Sequence, residues 1–172
     1  YRAALTWETM DAIKKIAGLP FILKGVATPE DAAIAVEHGV DVIYVSNHGG
    51  RLLDHGRGTV DMLPEIVAAA NGRAEVVMDG GILRGSDVLK AIALGAKAVA
   101  IGKLQGWGLA AAGQVGLVRV LELLESEIIT TMGLLGVRNL AELTPRHVCK
   151  AEPVTVPHEM SAFVHIPGGQ LL

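Results

Sequence analysis

The sequence predicts an α/β protein in which parallel strands alternate with covering helices, arranged as consecutive units of a (β/α)8 barrel. Three observations carry this. Of 172 residues, 51% are hydrophobic, only 3% are aromatic and 21 are glycine. Such a chain suits strands buried on both faces with helices lying close against them. Apolar β-branched runs alternate with capped amphipathic stretches, the pattern of parallel strands joined by right-handed crossovers. Finally, EDAAIAVEHGVDVIYVS (30–46) aligns with SDVLKAIALGAKAVAIG (86–102), setting Asp31 over Asp87 and Gly39 over Gly95. An open doubly wound sheet fits the alternation too, but the repeat of one helix–Gly–strand unit favours the barrel.

The elements follow in order. LTWETMDAIKKIAG (5–18) reads as a helix with Thr6 as N-cap, Glu8 in the first turn and Gly18 as its stop. LPFILKG (19–25) is a short buried strand ending at Lys24. TPEDAAIAVEHG (28–39) has a Thr cap, proline at the first helical position, early acids and a terminal glycine, so it is a helix. VDVIYVSN (40–47) is the next strand, and TVDMLPEIVAAANG (59–72) a helix whose regular part is expected to begin at Pro64. AEVVMDGG (74–81) is a strand. GSDVLKAIALG (85–95) is a helix capped by Ser86 and closed by Gly95, and AKAVAIGK (96–103) is the fourth strand. A long helix over about 107–128 and shorter helical pieces to about 148 complete the domain assigned to residues 1–150. Residues 151–172, with Pro153, Pro157 and Pro167, read as an irregular tail.

Four strands cannot close a barrel, and alone they leave two apolar edges open. The other strands are expected from an N-terminal half of the same barrel present as a separate chain or fragment, from a second copy, or from a partner chain. A net charge of −3 without a block of like charges gives no nucleic-acid surface. Cys149 is the single cysteine, so no internal disulfide forms and a reducing, cytoplasmic setting is expected. No signal-peptide pattern and no apolar run of about 18 residues is evident, so no transmembrane segment is expected.

In parallel α/β folds, chemistry collects at the carboxyl ends of the strands. All four ends here are polar or glycine-rich: Lys24-Gly25, Ser46-Asn47-His48, Asp79-Gly80-Gly81 and Gly102-Lys103. Singly, each has an ordinary reading as a solvated loop lysine, a structural histidine or a turn. Together on one rim they indicate a site. His48 takes a proton near neutral pH, and Arg51 grips a carboxylate with two parallel hydrogen bonds. Gly49 and Gly50 let the backbone turn tightly beside a flat ligand. The pair suits a substrate that offers both a carboxylate and a removable proton, and Lys24 suits negative charge developing nearby. Glycine-freed amides, a helix N-terminus and a cation at the last two strand ends suit an anion, most simply a phosphate. The remaining histidines have no zinc-like spacing, so no metal is expected.

ILKGV, VSNHGGRLLD, MDGGILRGSDVLKAIALGAKAVAIGK and WGLAAAGQVGLVRVLELLESEI, in this order between about Leu5 and Leu143, resemble the FMN-dependent α-hydroxy acid oxidase and dehydrogenase family. Its members include glycolate oxidase, lactate oxidase and mandelate dehydrogenase. The resemblance implies the C-terminal four β/α units of a TIM barrel with FMN at the carboxyl ends of the strands, and oxidation of a small 2-hydroxy acid such as lactate to the 2-oxo acid. By this resemblance His48 is the base and Arg51 the carboxylate clamp. Lys24 lies beside flavin N1 and O2, stabilising the anionic reduced flavin, and Ser46 touches the ring. Asp79, Gly80, Gly81, Ile82, Leu83 and Arg84 form the ribityl and phosphate segment, and Gly102 and Lys103 are the final phosphate contact. Homo-oligomers are common in the family, so one is expected. Three departures stand out. Leu83-Arg84 replaces a pair of arginines, Lys103 replaces an arginine, and His55 and Arg57 follow the core motif, where packing on the loop is the simpler expectation. The family's two tyrosines and the aspartate that orients its histidine belong to the first four strands. Tyr1 aligns just after the long loop behind the fourth of them. Two other readings stay open: another FMN- or phosphate-binding barrel enzyme, and a half-barrel module without turnover.

Overall fold

The computed structural model describes residues 5–53 and 55–151. Tyr1, Asp54 and the expected tail beyond Ala151 lie outside the described residues. The elements run α1 (Trp7–Ala17), β1 (Ile22–Val26), α2 (Pro29–Glu37), β2 (Val42–Val45), a 3₁₀ turn at His48–Gly50, α3 (Thr59–Ala70), β3 (Glu75–Asp79), α4 (Gly85–Ala93), β4 (Ala98–Ala100) and α5 (Lys103–Leu135). Two further 3₁₀ turns follow, at Leu140–Glu142 and Pro145–His147.

The four strands form one sheet in the order β1-β2-β3-β4, and every pairing is parallel. That order decides between the two architectures the sequence left open. A doubly wound sheet reverses its strand order at a switch point, whereas a barrel wall adds each strand beside the last. Here the wall is continuous, and the register shift between Lys24 and Val26 introduces the local bend that such a wall needs.

One face of the sheet carries Ile43, Val45, Val76 and Met78 into a core shared with Ala32 and Ala35 of α2 and Met62, Leu63, Ile66 and Ala70 of α3. Alanine dominates α2, so this helix lies close against the strands, as the aromatic-poor composition implies. Successive side chains on a strand point to opposite faces. The second face therefore carries Lys24, Val42, Tyr44 and Val77, none of them fully buried. A smaller cluster of Leu89, Ala93 and Leu143, with Ile128 and Met132 against it, joins α4, α5 and the chain after α5.

Several caps and boundaries follow the sequence. Thr6 accepts from the Thr9 amide, Thr28 from Asp31, and Gly18 takes the left-handed conformation that ends α1. Four differ. The helix expected to become regular at Pro64 is regular from Thr59, with Gly58 as N-cap and Pro64 inside it; proline costs the helix a single hydrogen bond. Ser86 is not the cap of α4. Arg84 is, because the Asp87 carboxylate reaches back to the Leu83 and Arg84 amides. The helix expected over about 107–128 runs from Lys103 to Leu135, with a break in helical geometry at Ala112 and Gly113. Against the expectation of no apolar run of membrane-spanning length, α5 is long and apolar enough by length and composition to cross a bilayer. It packs on α4 through Leu124 and Ile128, as the outer helix of a β/α unit does.

Candidate active site

The strand ends bring Lys24, Ser46, His48 and Asp79 together. Buried Ser46 links them. Its Oγ accepts from Lys24 Nζ at 2.8 Å and from the His48 amide at 3.2 Å. The Lys24 ammonium is 3.1 Å from Asp79 Oδ2 and 4.9 Å from the centre of the Tyr44 ring. Parallel pairing explains the assembly: Lys24 stands opposite Tyr44 in the register, and Tyr44 opposite Val77, two residues before Asp79. Burial, and next the negative charge of Asp79, push the Tyr44 hydroxyl pKa up, so the phenol stays neutral.

His48 opens the turn on a strained backbone, with φ +55° in the left-handed region that residues other than glycine avoid. Asn47 secures the turn: its Oδ1 accepts from the Gly49 amide, and its Nδ2 donates to the Arg57 carbonyl. Arg51 Nε donates to the His48 carbonyl at 3.2 Å, so the imidazole and the guanidinium share one short segment. The imidazole lies over Gly25. A Cβ there would meet His48 Cε1 at 3.0 Å, and the φ of +101° is itself a glycine conformation. Gly25→Ala is accordingly expected to displace the imidazole and cost about 1–3 kcal/mol of stability, read as a lower denaturation midpoint and an altered His48 ring signal in NMR.

On the neighbouring loops, Thr59 Oγ1 donates to the Gly80 carbonyl and fills the space where a Gly80 side chain would sit. Lys103 Nζ donates to the Gly49 carbonyl at 3.0 Å, which joins the end of β4 to the turn after β2. The first turn of α5, behind Gly102, has no side-chain cap, so its amides remain available to an anion.

Three of the expected cofactor contacts are engaged elsewhere. Ile82 is buried in the core. The Leu83 and Arg84 amides are taken by Asp87, and the Arg84 guanidinium pairs with Glu127 at 2.7 Å. Arg57 forms a two-pronged pair with Glu65 and also donates to the Asp61 carbonyl, in keeping with a packing role on the loop. No metal-binding cluster occurs among the described residues. A cavity of about 690 Å³ opens at the other end of the strands, beside Asp41, Arg73, Glu75 and Lys97, away from all these groups.

One atom tests the fit of a flavin. Asp79 Oδ1 is buried and has no hydrogen-bond partner. A buried carboxylate oxygen left so is costly, and a ligand hydroxyl at the strand ends, such as those of a ribityl chain, supplies the missing donor.

The profile of the FMN-dependent dehydrogenase family matches residues 1–150. The chain belongs to that family. Among curated relatives in the family it is 50% identical over 140 residues to an L-lactate oxidase of Nostoc sp., covering 81% of this chain and 38% of that protein. It is 49% identical over 140 residues to human 2-hydroxyacid oxidase 2, covering 81% and 40%. Among solved structures, mandelate oxidase with benzoyl-formic acid superposes with a TM-score of 0.77 at 50% identity, covering 80% of this chain and 41% of that one. The chain thus spans about 40% of the length of these family members. The likeness confirms the TIM-barrel fold class: the four strands are consecutive β/α units of the barrel of an FMN-dependent family.

Proposed function

We propose that this chain carries the acid–base and substrate-binding rim of an enzyme that oxidises a small 2-hydroxy acid to the 2-oxo acid with FMN. The carrying observation is the His48 imidazole seated on Gly25 within the cluster of Lys24, Ser46 and Asp79, with Arg51 on the same turn. The relatives named for lactate, 2-hydroxyacid and mandelate oxidation support the substrate class.

Arg51 holds the substrate carboxylate through its planar fork and so sets C2 and its hydroxyl over the turn. His48 takes one proton as the C2–O bond becomes a carbonyl. FMN, when bound, would accept the two electrons together with the second hydrogen. Lys24 fixes positive charge at the strand ends, where an electron-rich ring edge would gain from it. Asp79 Oδ1 would accept from the ribityl chain, while Gly102, Lys103 and the first turn of α5 would hold the phosphate. The outer edges of β1 and β4 are where further β/α units, from an N-terminal half as a separate chain or fragment, would add.

The test is anaerobic mixing of the FMN-loaded protein with lactate, glycolate or mandelate. Bleaching of the flavin band by at least one, with the 2-oxo acid formed in equal amount, is expected. A flavin that stays oxidised with all three overturns the assignment.

A further inference from the structure

Lys24 has a neighbour that the chemistry above leaves unused. Tyr44 lies beside it on the open face of the sheet, one strand over. It is the only tyrosine among the described residues of a chain poor in aromatics. Its ring stands 4.9 Å from the ammonium, within the range of a cation–π attraction.

An ammonium has three donors and rides on a flexible four-carbon stem. Ser46 Oγ at 2.8 Å and Asp79 Oδ2 at 3.1 Å engage two of them. Those contacts fix two of the donors but do not set the direction of the third. The ring acts differently: its quadrupole draws the cation without accepting a directed hydrogen bond. It therefore restrains the stem and leaves the third N–H for a ligand acceptor.

We propose that Tyr44 is a positioning residue whose ring restrains the Lys24 stem, so that an ammonium already engaged by Ser46 and Asp79 keeps its remaining N–H toward the cofactor side of the strand ends. This rests on the assignment of Lys24 to the ring edge of FMN made above. Positive charge there favours electron uptake by the flavin and its reaction with sulfite, an anion that adds to the electron-poor ring without any substrate chemistry.

The experiment measures sulfite affinity and the two-electron potential of the FMN-loaded protein in five forms: the parent, Lys24→Met, Tyr44→Phe, Tyr44→Leu and Tyr44→Met. Tyr44→Phe keeps the ring and is expected to bind sulfite within two-fold of the parent. Tyr44→Leu and Tyr44→Met are expected to weaken sulfite binding about five- to ten-fold, as loss of a partly desolvated cation–π contact implies, and to lower the potential. Lys24→Met should weaken it more. If both ring-less variants stay within two-fold while Lys24→Met is strongly impaired, the Tyr44 proposal fails and the role of Lys24 stands. If Lys24→Met is itself unchanged, the assignment of Lys24 fails and takes this proposal with it. Loss of flavin from both ring-less variants, with retention in Tyr44→Phe, also overturns it, because the ring would then serve packing alone.

Discussion

His48→Gln is expected to reduce flavin bleaching by a 2-hydroxy acid by about three orders of magnitude while leaving bound FMN in place. Glutamine fills much the same space and retains polar atoms, but it takes no proton at neutral pH, and removing a positioned base costs roughly 10²–10⁴-fold. Flavin retention is expected because the proposed phosphate and ribityl contacts belong to the ends of β3 and β4 rather than to the turn after β2. The left-handed backbone at His48 is held by Ser46 and Asn47 through backbone amides that glutamine leaves in place, so fold and flavin content serve as the control. Stopped-flow absorbance reads both quantities in one sample. Bleaching within ten-fold of the parent rate, at equal flavin content, would remove His48 from the role of base.

Gly85→Ala is expected to produce a large loss of stability for a single added methyl group. A Cβ at Gly85 would lie 2.6 Å from Glu127 Cβ, 2.6 Å from the Ile128 amide nitrogen and 2.7 Å from the Leu124 carbonyl. Two of these are backbone atoms of α5, so no rotamer change relieves the clash and the helix must move as a body. That movement also strains the Glu127 carboxylate, which accepts from the Gly85 amide and pairs with Arg84 at 2.7 Å. Overpacking of this kind together with a weakened hydrogen bond amounts to about 3 kcal/mol, or a fall in Tm of roughly 6–12 °C for a chain of this size. Gly106→Ala is the matched control, because a Cβ there meets nothing within 4 Å; in a helix it should be neutral or slightly stabilising. Equal melting of the two variants would mean that α4 and α5 do not pack as described.

The wall of β/α units was legible because its determinants are local. Thr28-Pro29 starts a helix, Gly39 ends it and VIYV extends, all within 18 residues of chain. The rim was legible for the same reason, since each strand announces its own end. Most of what the sequence concealed is long-range. Glu127, which claims Arg84 and the Gly85 amide, lies 42 residues from Gly85 and carries no motif. Thr59, which braces Gly80 from 21 residues away, looks like any first residue of a helix. Tyr44 reads as one more apolar strand residue until the register sets it opposite Lys24. The α4 cap differs for another reason: serine is the commoner cap residue, but the carboxylate of Asp87, one residue further on, reaches back to the Leu83 and Arg84 amides and starts the helix earlier.

Ser46 Oγ receives both the Lys24 ammonium and the His48 amide. A single oxygen is therefore the common datum from which the ammonium and the His48 backbone are both measured. Thermal wandering of the rim moves the two in concert, and their spacing relative to a bound ring varies less than either position does alone. Evolution likewise has no easy means of retuning one without disturbing the other, and even the isosteric exchange of oxygen for sulfur at this point would shift both.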